Sequence, residues 1–204
     1  SPYPDKLSHL DVDDPIYLPA DPATYVAVGL AYDVLAAPAC VVDDSGVSWA
    51  DYAHMQPRLA ERWTEGPGGE WTVQLKRGIR SHHGHELTAE DVAWRFEKSY
   101  QLQTTLGSWR WRDVVGVQRA VAVDSHTVRH ELRSRSPTFP NWLLSLTPNL
   151  VDSKEVRRHA TEADPWAINW LNGNVAGFGA YDLVSRTPAG LDFRARKDYW
   201  MGEP

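Results

Sequence analysis

The sequence predicts an α/β fold, a mixed sheet with flanking helices, and three stretches carry that prediction. Apolar and polar residues alternate in Trp71–Leu75, which gives a strand one apolar face and one solvated face. A helix with an apolar stripe begins near Ala89. Val117–Val123 and Thr127–Leu132 alternate about an Asp124-Ser125 turn, which is typical of a hairpin. Strands and helices therefore share one chain.

Composition limits the classes of protein to consider. With 204 residues the chain forms one large domain or two small ones, and it is long enough to bury a core. The net charge is −6, and Lys and Arg are scattered apart from Arg129 to Arg135, which argues against a nucleic-acid partner. No apolar run approaches the ~18 residues of a membrane-spanning helix.

The N-terminal part begins without helical periodicity. Ser1–Pro22 is rich in Pro and Asp, so it is interpreted as loop and extended chain. Apolar residues at helical spacing predict a helix over Ala23–Ala36, capped by Asp21 or Thr24. A short strand is expected at Ala39–Val42 within an otherwise connecting stretch that runs to residue 51.

Cys40 is the only cysteine, which excludes an intrachain disulfide. Its apolar neighbours Ala39, Val41 and Val42 predict a small buried core residue. Nothing near it in the sequence resembles a base that would activate the thiol.

The helix that begins at Ala89 has a capping-box start. Thr88 is expected to accept a hydrogen bond from the Asp91 amide, while Asp91 reaches back in the reciprocal position. Its apolar stripe is formed by Val92, Phe96 and Tyr100, with Trp94 beside them.

Four further elements and a loop complete the prediction. Leu102–Trp111 is interpreted as a loop, because Thr, Gly and Ser dominate its centre. The other elements are a short helix in Pro137–Leu146, a helix capped by Asp152 or Ser153 that runs to about Ala163, and a strand pair at Tyr181–Ser185 and Leu191–Arg196.

The segment Leu59–Lys98 contains five short sequence motifs in a fixed order: LAERW, the turn Gly66–Gly69, WTVQLKRGI, HHG and LTAEDV. This order resembles the signature of the family 5 extracellular solute-binding proteins. The family pattern is roughly L-A-x-x-W, a D-G turn, W-T-F-x-L-R-x-G-V-x-F-H-D-G and T-A-x-D-V. Here Ser81 replaces the Phe, His83 replaces the Asp before the glycine, and the turn is Gly-Gly.

Shorter motifs extend the resemblance to the family from about Leu7 to Pro204. They are Leu7–Asp11, similar to S-L-D-P; Tyr32–Leu35, similar to Y-D/E-G-L; Gly177–Tyr181, similar to G-T-G-P-Y; and Lys197–Pro204, similar to N-P-x-Y-W-x-G-x-P. The resemblance implies a type II periplasmic-binding-protein-like lobe. Residues 1–204 are then expected to be the N-terminal lobe of a two-lobed protein, with the second lobe absent.

The resemblance also implies a function. Family members deliver dipeptides, oligopeptides, nickel chelates and some sugars to ABC importers. The expected partners are thus a small solute and the transmembrane permease of an ABC transporter, without cofactor or nucleic acid. The full-length protein is expected to be monomeric and extracytoplasmic, in the periplasm or at the cell surface with a lipoprotein anchor.

The binding residues implied by the resemblance form half a site, since the ligand of such a receptor lies between two lobes. They are Lys6, Leu7 and Ser8 before the S-L-D-like word, Trp109 and Trp111 after the signature helix, and Gly177, Phe178 and Gly179. The two indoles in alternate positions suit stacking on a ligand, with Arg110 and Arg112 pairing with carboxylates. Packing of both indoles against the core or the second lobe remains an alternative.

His82, His83 and His85 with Glu86 suggest a metal site, because imidazoles suit nickel, zinc or copper. The alternative is a structural turn, since this loop stands where the family has F-H-D-G and lacks the four-ligand spacing of a structural zinc site. The turn is favoured, and tight binding of zinc or nickel is not expected.

No catalytic constellation is recognisable. The glycines at 173, 177 and 179 lack the G-K-[ST] of a phosphate-binding loop, and there is no G-x-S-x-G or H-E-x-x-H. A solute-binding module is therefore favoured over an enzyme such as a His-metal hydrolase. A third hypothesis is that the chain is the ligand-sensing domain of a regulator.

Overall fold

The computed structural model describes residues 22–102, 115–141, 149–187 and 190–204. Its helices are α1 Pro22–Ala31, α2 Ala89–Leu102, α3 Ser153–Arg158 and α4 Ile168–Leu171. Its strands are β1 Ala36–Val42, β2 Ser48–Pro57, β3 Ala60–Glu65, β4 Trp71–Leu75, β5 Val117–Asp124, β6 Thr127–Leu132, β7 Tyr181–Thr187 and β8 Gly190–Ala195. Within these ranges no helix is both long enough and apolar enough to cross a membrane.

A four-stranded sheet in the order β3-β4-β6-β5 forms the centre of the fold. Trp71 lies opposite His130 and Val73 opposite Val128, so these side chains share one face. All four are buried. The predicted alternation of β4 is confirmed, because its even-numbered residues are only half-buried.

The predicted α/β class is confirmed, but the strand pairing differs from the prediction. Every strand pair in the described ranges is antiparallel, in the central sheet and in the β1-β2 and β7-β8 hairpins, so the sheet is not mixed. Short turns join β3 to β4 and β5 to β6, and such connections produce antiparallel neighbours.

Helix α2 packs on the sheet and separates two apolar cores. Val92 and Phe96 belong to the core beneath the sheet, whereas Trp94 belongs to a second core shared with α1 and α3. Trp94 and Trp166 lie 5.6 Å apart in the second core. Helix α2 therefore contributes side chains to both cores, as do the segments that hold Leu150 with Val151 and Ala176 with Phe178.

The capping box of α2 is confirmed in one half and wrong in the other. The Thr88 amide donates to Asp91 Oδ2 over 2.7 Å, as predicted for the reciprocal position. The Thr88 hydroxyl donates to the same oxygen instead of accepting from the Asp91 amide. Asp91 Oδ1 accepts from the amide and hydroxyl of Ser153, so one buried carboxylate starts α2 and holds the first residue of α3. Burial raises the pKa of Asp91 despite these hydrogen bonds.

Two predicted helices are too long. Helix α1 ends at Ala31, not Ala36, because the Leu35 carbonyl accepts from the amides of Arg58 and Ala60 and the chain there is extended. Thr24 lies inside α1 and so is not its cap, and Asp21 lies outside the described residues.

Helix α3 stops at Arg158 rather than near Ala163. Beyond it Thr161 and Asp164 exchange backbone hydrogen bonds of 3.1 Å, which form a turn. Its predicted cap is confirmed, since Asp152 Oδ1 accepts from the Glu155 amide over 3.0 Å. Of the predicted Pro137–Leu146 helix, residues 139–141 are helical and 142–148 lie outside the described part.

The hairpin of β1 and β2 was largely missed. The predicted strand Ala39–Val42 begins earlier, at Ala36, and the predicted connecting stretch up to residue 51 contains the start of β2 instead. Strand β2 is mostly exposed and most of β1 is of intermediate exposure, so neither shows the regular alternation of a half-buried strand. The prediction that Cys40 is buried is wrong, because it lies on this open hairpin.

A β-bulge near the start of β5 changes which of its side chains face the core. The register shifts between Val117 and Arg119, and an extra residue moves later side chains to the opposite face. Ala120 and Ala122 consequently pack on the core, while Val123 is 54% exposed.

Candidate functional site

The predicted half-site is only partly within the described residues. Lys6, Leu7 and Ser8 lie outside them, as do Trp109 and Trp111, so their roles stay predictions. The turn formed by Gly177, Phe178 and Gly179 is described and can be examined directly.

The Gly177–Gly179 turn crosses the C-terminal end of α1 at close range. The Gly179 amide donates to the Ala31 carbonyl over 3.0 Å. A Cβ on Gly177 would lie 2.2 Å from the Ala31 oxygen, and one on Gly179 would lie 2.4 Å from the Ala31 carbonyl carbon. Backbone contact at this distance requires glycine at both positions.

Phe178 is fully buried and belongs to the core beneath the sheet. Its side chain is therefore a packing group in this conformation, and both flanking glycines are buried too. Contact between this turn and a solute remains a prediction.

His82 fixes the other side of this turn. Its amide donates to the Gly177 carbonyl over 3.0 Å, and its Nδ1 accepts from the Gly177 amide over 3.1 Å. Burial, aided by repulsion from the Arg196 charge, lowers the pKa of His82 to about 4. The imidazole is thus neutral near pH 7, as its acceptor role at Nδ1 demands.

The other two histidines of the loop are also used in local contacts. His83 Nε2 lies 3.0 Å from the Val175 carbonyl, and His85 Nδ1 lies 2.9 Å from Asp152 Oδ2. The Ser81 hydroxyl donates to the same Asp152 oxygen over 2.5 Å. Within the described ranges no group of three or more His, Cys, Asp or Glu side chains is arranged to hold a metal ion.

Ser81, Asp152 and His85 do not form a hydrolytic triad. The serine hydroxyl bonds the carboxylate, and its oxygen accepts from the amides of His83 and His85. A nucleophilic serine needs a base on its own hydroxyl, whereas here the aspartate lies between serine and imidazole. The group instead joins the histidine loop to the start of α3.

Arg196 joins three segments at the same place. Its guanidinium donates to the carbonyls of Gly179, Arg80 and Ser81 over 3.1–3.2 Å, and it pairs with Asp198. Arg196 is 4% exposed, so these groups are taken from water together. Its charge is compensated in part by Asp198, whose pKa the Arg196 hydrogen bond lowers.

A second polar group, the Asp33 network, is formed by Asp33, Arg58, Tyr199 and Trp200. Asp33 Oδ2 accepts from the Tyr199 hydroxyl over 2.7 Å, from Trp200 Nε1 over 3.2 Å and from Arg58 Nη2 over 3.2 Å. Burial and the Asp33 charge raise the pKa of Tyr199. The sequence does not predict this network, although Asp33 and Tyr199 each lie in a motif that resembles the family.

Next to Trp200 lies an open cleft of about 610 Å³, here called the Trp200 cleft. It is lined by Glu61, Lys76, Arg77, Gly78, Ile79 and Trp200. The Lys76 ammonium lies 4.3 Å from the centre of the Trp200 ring, within the range of a cation–π contact.

Comparison with known proteins identifies the family. The family model of the bacterial extracellular solute-binding proteins, family 5 Middle, matches residues 54–204. The chain belongs to this family. Over 146 residues it is 24% identical to the periplasmic murein peptide-binding protein MppA of Escherichia coli K12, covering 64% of this chain and 26% of MppA.

Solved structures share the fold. MoaA from A. tumefaciens R10, in complex with mannopinic acid, matches with a TM-score of 0.75 and 20% identity, over 97% of this chain and 36% of that one. The oligopeptide-binding protein AppA from Bacillus subtilis, in complex with a nonapeptide, matches with a TM-score of 0.64 and 20% identity, over 91% of this chain and 34% of that one.

This family 5 chain has the periplasmic-binding-protein-like fold of these neighbours, as the sequence motifs implied. The family and these neighbours are solute-binding proteins rather than enzymes. The chain spans about a quarter of MppA and about a third of the two solved structures. The activity of the whole protein is accordingly a matter for proposal.

Proposed function

We propose that this chain is one lobe of an extracytoplasmic receptor that captures a peptide-like or other small solute between two lobes. The receptor then delivers the solute to the permease of an ABC transporter. The observation that carries this proposal is the family match over residues 54–204. The extracytoplasmic location follows from the family, and lipoprotein anchoring and a monomeric state are part of the same proposal.

The packing of the lobe suits closure as a rigid unit. Arg196 ties the histidine loop to the Gly177–Gly179 turn, and the Asp33 network ties the end of α1 to Tyr199. Domains that close about a hinge move as bodies whose internal contacts persist. These buried polar contacts give this lobe such internal rigidity.

The proposed half-site consists of Lys6–Ser8, Trp109, Trp111 and the Gly177–Gly179 turn. A ligand between two lobes gains most of its burial on closure, and pockets commonly cover about 70–90% of a ligand's surface. One lobe then supplies about half of the apolar burial, at ~25 cal/mol per Å². The lobe alone should bind its solute weakly.

Similarity to MppA and AppA favours peptide-like solutes, because those two proteins are described as binding murein peptide and oligopeptide. MoaA is in complex with mannopinic acid, so mannopinic acid belongs in a test panel. We therefore propose a peptide-like solute first, with other small solutes as the second class.

The test uses the protein produced from its complete gene. Calorimetry against di- to nonapeptides, murein peptides and mannopinic acid should give one saturable site of about micromolar affinity, and the 204-residue chain alone about millimolar or weaker. Trp109→Ala and Trp111→Ala should each weaken binding by about tenfold, the loss of ~1.4 kcal/mol of aromatic contact.

Trp49→Ala is the matched control, because Trp49 is 53% exposed on the β1-β2 hairpin. Losses of less than twofold in both Trp109→Ala and Trp111→Ala would assign these indoles to packing. A DNA-binding region in the complete gene product would instead favour the sensing alternative.

A further inference from the structure

We propose that the Trp200 cleft binds a small organic carboxylate, with the Lys76 ammonium as its ion-pair partner and the Trp200 ring against its apolar part. This site involves none of the residues of the proposed half-site, so it does not depend on the receptor function. Its volume of about 610 Å³ lies within the range of small-molecule pockets.

The Lys76 ammonium forms no ion pair with a carboxylate of the described residues. In the part of the chain that the structure describes, no Asp or Glu oxygen lies within 4.0 Å of its ammonium group, which rests on the Trp200 ring. Burial lowers the pKa of Lys76 and repulsion from Arg58 lowers it further, while the more distant charges of Asp33 and Glu61 offset this only in part. A carboxylate in the cleft would offset both lowering effects, because it adds a negative charge in direct contact with the ammonium.

Arg58 is less available than Lys76 as an ion-pair partner for a ligand carboxylate. Its guanidinium already donates to both oxygens of Asp33, over 3.3 and 3.2 Å. Lys76 and the exposed Arg77 are thus the cations of the lining that remain without an ion pair among the described residues.

The apolar wall is fixed before a ligand arrives. Trp200 donates its Nε1–H to Asp33, and the Tyr199 ring meets it edge to face at 5.7 Å. Ile79 is 2% exposed and anchored in the core. A wall held in place loses little conformational freedom on binding, which favours affinity for a ligand with an apolar body.

The same lining disfavours phosphate. The Gly78 amide donates to Glu86 Oε1 over 2.7 Å, so it is not available to a phosphate oxygen. The charge of Glu61 in the lining repels any anion, and it repels a doubly charged phosphate more than a singly charged carboxylate. Phosphate sites usually combine several backbone N–H groups with cations. One ammonium beside an indole fits a monocarboxylate better.

The test follows the Trp200 indole N–H resonance, assigned by its loss in Trp200→Phe, during titration of the chain with benzoate at constant ionic strength. A saturable shift with a dissociation constant in the low millimolar range is expected. Lys76→Met keeps the aliphatic stem and should weaken binding at least about tenfold, the loss of a charge-assisted contact of ~1.4 kcal/mol. Lys76→Gln is the second variant if Lys76→Met does not fold.

Lys154→Met is the matched control, because Lys154 is exposed on α3, and it should bind benzoate as the unchanged chain does. N-acetylphenylalanine against its amide tests a peptide C-terminus as the carboxylate source, and binding of either acid supports the site. Equal shifts with neutral benzamide, equal binding of inorganic phosphate, or no effect of both Lys76 variants would overturn the proposal.

Discussion

The Asp33 carboxylate accepts a 2.7 Å hydrogen bond from the Tyr199 hydroxyl, between residues 166 positions apart in the chain. Asp33 follows α1, and Tyr199 follows β8. The same carboxylate holds Arg58, which lies between β2 and β3, and the indole of Trp200. One buried acid therefore ties the C-terminal segment of the chain to both α1 and the central sheet.

Asp33→Asn should destabilise the chain by about 2–4 kcal/mol, because it leaves the Arg58 guanidinium without its counter-charge in a half-buried place. Tyr199→Phe is the matched comparison, since it removes the hydroxyl that donates to Asp33 and accepts from Arg58 but leaves the ion pair, and it should cost about 1–2 kcal/mol. Urea unfolding followed by circular dichroism measures both. Equal losses in the two variants would mean that the ion pair contributes nothing beyond the hydroxyl contact.

Acid should destabilise the fold through His130. Its ring lies 4.9 Å from Phe96 and 5.1 Å from Phe139, and neither ring nitrogen has a hydrogen-bond partner among the described residues. Burial lowers the pKa of His130 to about 3 from the usual 6.5. Between these values the unfolded chain binds more protons than the folded chain, so stability falls as the pH falls from 6.5 toward 3.

His130→Leu should therefore flatten the dependence of the urea midpoint on pH between 6.5 and 4. Some dependence of the same sign should remain, because the pKa of His82 is also lowered, to about 4. His54→Leu is the control, as the His54 side chain is 79% exposed. An unchanged slope in His130→Leu together with a changed slope in His54→Leu would assign the effect to surface charge.

Gly179→Ala should destabilise the chain by more than about 2 kcal/mol, because the added methyl group would lie 2.4 Å from the Ala31 carbonyl carbon and force backbone apart. Gly190→Ala is the matched control, since no atom lies within 4 Å of its Cβ position and its φ is not positive. Thermal unfolding of both variants decides the point. A smaller loss at Gly179 than at Gly190 would refute the close approach to α1.

The predictable parts of this fold are those whose pattern is local. The alternation in β4 and the acid at the start of α2 each act within a few residues, so the strand and Asp91 were recognised from the sequence. The bulge at the start of β5 and the open hairpin with Cys40 were not, because the first depends on pairing with β6 and the second buries little.

The site was less predictable than the fold for a similar reason. The sequence motifs identify the Gly177–Gly179 turn, but the tight fit of this turn comes from its contact with Ala31, which is distant in the chain. Likewise, no spacing rule connects Asp33 with Tyr199 or Arg196 with Ser81. Contacts of this kind are determined by packing of distant segments rather than by local sequence.

Arg196→Lys should loosen the junction between the histidine loop and the Gly177–Gly179 turn. A single ammonium cannot reach the carbonyls of Gly179, Arg80 and Ser81 and also Asp198, as the planar guanidinium does. Buried carbonyls left without donors cost about 1–3 kcal/mol each, so a loss of about 2 kcal/mol or more is expected.

Hydrogen exchange tests the position of this effect as well as its size. The amides of His82 and Gly177, which bond each other's residue across the junction, should exchange faster in Arg196→Lys, while the Val73 amide in the centre of the sheet should change less. Arg194→Lys is the matched control, because the Arg194 side chain is 71% exposed two residues away and pairs only loosely with Asp182 at 3.5 Å. Faster exchange at Val73 equal to that at His82 would indicate global destabilisation, and Arg196 would then not be specific to this junction.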